Sequence, residues 1–365
     1  MKRKLTALLL ALLLCLGGLA ASYCGAPMQE SGDYDIKYAA ACQMSRCMAQ
    51  IRAYKAELSL PISDGDVHGT GMIGDYVTDI TTTLGALEAK RSTANPDMAA
   101  LVVSLLREAG VRSGDTVGAG FSGSFPALDL AVLCACEAMG VQCVYIASVG
   151  ASTYGANQPE LTLPDMLCRL VQDGYLSTLP AAITPGGADD IGRDMEQSAL
   201  DGVLARLEGY EVPIVRLSSF SENIAWRMAL YQKNGPISCF IGVGGNVTTL
   251  GQDGTALRQG VVRPDRTGAV SARSGLLERY SAAGLPVIQL LNIKKLLTDY
   301  GMPFDPAVPV ETGTSAVYYE KKPRLLPAAI SLAAALAVFV FTFRAGSDRT
   351  PRQEKRPAGR DADTC

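Results

Sequence analysis

Four glycine-rich stretches carry most of the residues in this chain that could do chemistry. The first is Gly118-Ala119-Gly120-Phe121-Ser122-Gly123-Ser124, followed closely by Pro126. Proline suits the first turn of a helix. Glycines let backbone N–H groups converge, and a helix N-terminus adds partial positive charge. With hydroxyls from Ser122 and Ser124 and close approach at Gly120 and Gly123, such a cradle suits a phosphate or a carboxylate. The alternative is a tight turn in which Ser124 only caps the helix. The second stretch, Gly150 to Asn157, offers Ser152 and Asn157. The third, Gly186 to Gly192, offers Gly187, Asp189 and Asp190, and the fourth, Gly242 to Thr249, offers Gly245 and Asn246. Asp189 and Asp190 could hold a divalent cation, but paired acids at a helix start also serve as capping groups. The sequence requires no metal or other cofactor. Lys90 and Arg91 could bind a carboxylate or an acidic polymer, or form an ordinary solvated basic pair.

The first stretch also resembles part of a nucleophile elbow, with Ser122 in a Gly-x-Ser-x-Ser setting. Ser122 or Ser124 would then be the nucleophile. A serine nucleophile needs a base and a group that orients the base. The single histidine, His68, stands two residues after Asp66, and neighbours so close rarely orient each other in a triad. Lys90 is the other candidate base. One histidine also makes a zinc site of His/Cys type improbable. Of the ten cysteines, Cys134, Cys136 and Cys143 lie in apolar stretches as small hydrophobes. Cys42 and Cys47 are the best candidates for a disulfide.

These stretches need a scaffold, and the surrounding pattern supplies one. Asn95 caps a helix over Met98 to Ala109, with Pro96 and Asp97 in its first turn. The chain then alternates. Strand Thr116 to Gly120 precedes a helix from Pro126 that stops at Gly140, and strand Gln142 to Ser148 follows. Strands come next at Ala181 to Thr184 and Pro213 to Leu217, then helix Phe220 to Lys233 and strand Ser238 to Val243. Helix Ala272 to Ala283 and strand Pro286 to Leu290 complete the rhythm. Alternating strands and helices imply βαβ units. Uniformly apolar strands imply helices on both faces. The fold class is therefore α/β: an open, doubly wound, mostly parallel sheet. Ligands of such sheets bind beyond the carboxyl ends of the strands, where all four glycine-rich turns would meet.

Both ends of the chain are hydrophobic. Residues 1–23 form a signal anchor or transmembrane helix behind Lys2, Arg3 and Lys4, and 325–343 form a second apolar run. Each is about long enough to cross a bilayer core. Basic residues from Arg344 to Arg360 outnumber Lys321, Lys322 and Arg324 on the other side of the second run. The positive-inside rule then puts both termini in the cytoplasm and the body outside. Alternatively, Ala20-Ala21-Ser22 is a cleavage site and the first run is removed. Between the anchors, 24–60 read as a helical stalk and 61–320 as the extracytoplasmic α/β domain; 344–365 form a basic cytoplasmic tail. A formal net charge of -3 argues against nucleic acid as a partner.

The stretch from Gly71 to Gly192 resembles the poly-gamma-glutamate system protein family. The matching segments are Thr70-Gly71-Met72-Ile73-Gly74, Ile80 to Gly85 with Glu88-Ala89-Lys90-Arg91, Gly123 to Leu128, Ser148 to Ser152 and Gly186 to Gly192, and the match extends through Gly244-Gly245-Asn246. The resemblance implies a membrane-associated bacterial protein that acts with the membrane subunits of a poly-γ-glutamate synthase in making, exporting or processing that anionic capsule or surface polymer. It supplies no catalytic residues. Three readings follow. In the leading one, an accessory protein binds polymer or glutamyl carboxylates in the glycine-rich crevice. In the second, the chain is a serine-type γ-glutamyl hydrolase or transferase. In the third, the strand–GxSxS–helix turn, which is similar to SIS domains, binds phosphosugars.

Overall fold

A computed structural model describes residues 2–24 and 26–344. The expected basic tail beyond Arg344 lies outside the described residues. The chain divides into two compact units, one built from its two ends and one spanning Ser31–Tyr318.

The terminal unit contains helices Lys2–Tyr23 and Leu325–Arg344 and an antiparallel pair of short strands, Met28–Glu30 with Tyr319–Lys321. Within the helices, Lys4–Tyr23 and Leu325–Thr342 each have a mean hydropathy of 2.3 and are long and apolar enough to cross a membrane. The helices run antiparallel: Gly18 lies against Ser331, and the Arg324 N–H donates to the Ser22 carbonyl. A Cβ on Gly18 would come 2.0 Å from Ser331 Oγ, so only glycine permits this approach.

The larger unit is α/β. Its six-stranded sheet comprises β1 (Thr116–Ser122), β2 (Gln142–Ser148), β3 (Ala182–Thr184), β4 (Cys239–Val243), β5 (Gly260–Val262) and β6 (Val287–Leu290). The order across the sheet is β3-β2-β1-β4-β6-β5, and only β5 runs antiparallel. The chain thus winds outward from β1 in one direction and resumes at β4 in the other. Alternate strand residues enter different apolar clusters. Val117, Ala119, Phe121, Tyr145 and Ile241 pack with helices Tyr34–Glu57, Asp97–Glu108 and Pro126–Met139. Val144, Ile146, Phe240 and Val287 pack with helices Phe220–Lys233 and Leu276–Ala282. That period-two division is the consequence of strand geometry.

Several expectations are corrected. The segment read as a stalk is a core helix: Ala40, Ala41, Met44, Cys47 and Ile51 are buried on the face that packs against its neighbours. Its apolar spacing was the signature of a helix needing a partner. The strand expected over Pro213–Leu217 is an isolated bridge between Ile183 and Ile214. The helix expected from Ala272 begins at Leu276, because Ser274 is first tied to Gly251 in another bridge. Helices Leu163–Gln172 and Gln197–Leu207 were not foreseen. Cys47 meets Cys134 rather than Cys42: their thiols hydrogen-bond, which with burial pushes the Cys134 pKa well up. Cys42 lies five residues earlier on the same helix, about 140° around its axis.

Candidate functional site

The winding reverses between β1 and β4, and a cavity of about 430 Å³ opens beyond the carboxyl ends of the strands there. All four glycine-rich turns contribute to its wall. Ser122 and Ser124 come from the first, Gly150 and Ser152 from the second, Gly187 and Ala188 from the third, Gly245 and Asn246 from the fourth. Thr82 to Ala86 and Lys90 close another side. The turns lie directly on one another: Gly123 N–H donates to the Gly150 carbonyl at 3.2 Å. A Cβ on Gly123 would come 2.8 Å from that of Ala151. Gly120 itself sits in β1 beneath Thr249 and does not line the cavity.

Lys90 is the cation of this cavity. Helix Leu87–Thr93 carries it inward, leaving it 2% exposed. Its Nζ donates to the Ser124 carbonyl and, at 2.7 Å, to Ser152 Oγ, and lies 3.7 Å from the centroid of the Phe125 ring. Burial pulls its pKa down to about 7, opposed by the nearby Asp129. Asp129 is wholly buried one turn into helix Pro126–Met139, and neither carboxyl oxygen has a hydrogen-bond partner. Desolvation pushes its pKa well up, with Lys90 opposing. Each of the two is thus biased toward its neutral form.

The serines around Lys90 differ. The Ser152 N–H donates to Ser124 Oγ at 3.0 Å, which ties down the short strand Ala151–Ser152 that pairs in parallel with Thr81–Thr83. Ser152 Oγ then faces Lys90 across Gly85, where a Cβ would come 2.8 Å from Ser152 Oγ and 3.1 Å from Lys90 Cε. Ser122 Oγ is buried without any partner, at the mouth of β1. An unpaired buried hydroxyl costs free energy, on the order of 1–3 kcal/mol, until something bonds it.

Behind the cavity runs a buried polar chain. Asn246 Nδ2 donates to Ser148 Oγ at 3.1 Å, and Ser148 and Thr184 hydroxyls meet at 3.0 Å. Thr184 Oγ1 donates to Asp190 and accepts from Arg227, and Arg227 pairs with Asp190 at 2.5 Å with both side chains wholly buried. The chain ties the third and fourth turns to β2 and β3.

Some predicted residues lie elsewhere. Arg91 points away from the cavity into a bidentate pair with Asp305, at 2.7 and 2.6 Å. Asn157 is wholly buried and structural, holding the Asp75 backbone and Thr81 Oγ1. Asp189 pairs with Arg193 at 2.7 Å and accepts from Gln252, while Asp190 belongs to Arg227. The two acids therefore face arginines rather than a shared cation seat, and no group of three or more metal-binding side chains occurs among the described residues. His68 Nε2 meets the Pro306 carbonyl, and Asp66 accepts from Thr70 and Gly71. No triad with Ser122 forms. Sequence reasoning missed Asp129, although an acid in the first turn of the otherwise apolar stretch 126–136 was a legible signal.

No protein-family model matches this chain, and neither a curated protein nor a solved structure similar to it was found.

Proposed function

We propose that this chain is a membrane-anchored accessory protein of poly-γ-glutamate synthesis, export or processing, whose α/β unit binds glutamyl carboxylates in the crevice. In this reading the sheet is doubly wound and the terminal helices form a transmembrane hairpin. Both termini are cytoplasmic and the α/β unit is extracytoplasmic, alongside the membrane subunits of the synthase. The antiparallel contact at Gly18 and Ser331 supports such a hairpin. The observation that carries the ligand class is the pairing of one buried lysine with an unpartnered serine hydroxyl in a single cavity. The ammonium form of Lys90, present below its pKa of about 7, and the hydroxyls on the cavity wall suit a carboxylate. The cavity volume falls within the range for small-molecule sites, so it fits a chain end better than a long stretch of polymer. A body outside the cell also disfavours phosphosugars, which are cytoplasmic metabolites.

Deletion of the gene should change the amount or chain length of surface polymer, and unchanged polymer would sink the role. On the detergent-solubilised full chain, calorimetry with a short γ-glutamyl oligomer should show binding that falls at least 10-fold in Lys90→Met. A hydrolase or transferase is the second reading, favoured by the contact between Lys90 and Ser152.

A further inference from the structure

We propose that Ser152, with Lys90 as its base, is the nucleophile of an acyl-transfer reaction on a γ-glutamyl amide. This rests on the crevice taking glutamyl groups, but it assigns a chemical step and a residue that ligand binding alone does not require. The serines of the first turn were the obvious nucleophiles from sequence. The geometry points elsewhere. Ser124 Oγ is occupied as an acceptor for the Ser152 N–H, and Ser122 Oγ makes no bond to any base. Only Ser152, among the cavity serines, has its hydroxyl 2.7 Å from the lysine nitrogen. That is within reach of a general base and its nucleophile.

The surroundings suit Lys90 to the task. A lysine acts as a base only when neutral, and burial brings its pKa to about 7. The charged group facing it is Asp129, on the helix that follows the first turn; the other groups against Nζ are the Ser124 carbonyl, the Ser152 hydroxyl and the Phe125 ring. A neutral amine keeps a proton for the Ser124 carbonyl and turns its lone pair to Ser152. The hydroxyl of Ser122, unpartnered and on the same cavity wall, is free to donate to an oxyanion.

The step balances as follows. Ser152 Oγ bonds to the γ-carbonyl carbon while its proton passes to Lys90 Nζ. The tetrahedral intermediate collapses, the C–N bond breaks, and Lys90 returns the proton to the departing amine. The carbon of the resulting ester on Ser152 is then attacked by water, giving hydrolysis, or by the amine of another glutamyl chain, giving transfer. The attacking group's proton passes to Lys90, the bond from that carbon to Ser152 Oγ breaks, and Lys90 returns the proton to Ser152 Oγ.

The test uses the full chain in detergent micelles with an activated fluorophosphonate, and peptide mass spectrometry to locate the adduct. The adduct should lie on Ser152, and trapping should fall at least 100-fold in both Ser152→Ala and Lys90→Met. Its rate should rise with pH through about 7 as Lys90 loses its proton, a profile that a merely structural lysine would not give. Retention of the adduct in Ser152→Ala, its location on Ser122 or Ser124, or no serine adduct at all would overturn the assignment. Calorimetry with the γ-glutamyl oligomer separates the two ideas. Binding retained in Ser152→Ala shows that variant folded, so lost trapping there reports the nucleophile. Oligomer binding without trapping by the wild type refutes the chemistry and leaves the binding site standing. If the wild type fails to bind the oligomer, the glutamyl reading fails first, whatever the fluorophosphonate does.

Discussion

Two aspartates in neighbouring helices are equally buried and live in opposite worlds. Asp97, at the start of its helix, accepts from the Gly313 and Ser315 N–H groups, from Ser315 Oγ at 2.5 Å and from Tyr318 Oη at 2.7 Å. Asp129 accepts from nothing and is pushed well above the usual carboxylate range by desolvation. Both side chains are wholly inaccessible. The difference shows what each region is for. Donors around Asp97 lock the segment Gly313–Tyr318 onto the core. Around Asp129 the fold provides no donors, only Lys90, so the pair stays electrically soft. A group whose proton can move is useful in a site and useless as a clamp.

The comparison is broken or upheld most directly by making the same isosteric change at both positions. Asp97→Asn replaces an acceptor of four bonds with a half-donor, and should cost roughly 3 kcal/mol of unfolding free energy. Asp129→Asn removes a carboxyl that no hydrogen-bond donor holds, and should change stability by less than about 1 kcal/mol. Urea unfolding followed by the fluorescence of Trp226, the only tryptophan, measures both. Equal losses would mean that Asp129 is a structural ion after all. The sign of the accompanying pH effect is also fixed. Asp129 holds the Lys90 pKa up, so Asp129→Asn should move the midpoint of the trapping profile below the wild-type value of about 7.

A smaller effect probes the geometry of the soft region. Gly85→Ala puts a methyl group 2.8 Å from Ser152 Oγ and 3.1 Å from both Lys90 Cε and the Thr153 carbonyl. Something must give, and the carbonyl is backbone. Overpacking of this kind costs about 1–3 kcal/mol. Oligomer affinity should fall roughly 10-fold, because Lys90 and Ser152 are forced apart. Unchanged affinity with lowered stability would show that the 2.7 Å contact between them is dispensable.

How much of this was legible beforehand follows the range of the interaction that decides each residue. The glycine-rich turns and the parallel strands were readable, because periodicity and turn chemistry are local. So was Lys90, and Ser152 was named for binding though not as a nucleophile. The capping box of Thr162 and Asp165 was equally local and announced the helix at Leu163, but it passed unnoticed. What could not be read were partners far along the chain. Asp305 claims Arg91 from 214 residues away, and Arg227 claims Asp190 from 37. The Tyr34–Glu57 helix looked like a stalk because its apolar face gives no hint of which helices will cover it.

Lys90 and Arg91 sharpen the contrast at the lowest cost. They are consecutive and both basic, and nothing in their local pattern separates them. A helix turns about 100° per residue, so one points into the cavity and the other out of it. Arg91 is 18% exposed and Asp305 24%, so their bidentate pair is partly screened by solvent and worth about 1 kcal/mol or less. The Asp305 N–H also donates to Ser92 Oγ at 2.8 Å, which keeps that loop in place without the arginine. Arg91→Met should therefore lower stability by at most about 1 kcal/mol and leave oligomer binding and fluorophosphonate trapping unchanged. A loss of binding comparable to that of Lys90→Met would place both bases in the site. The division between a clamping surface pair and a soft buried pair would then no longer hold.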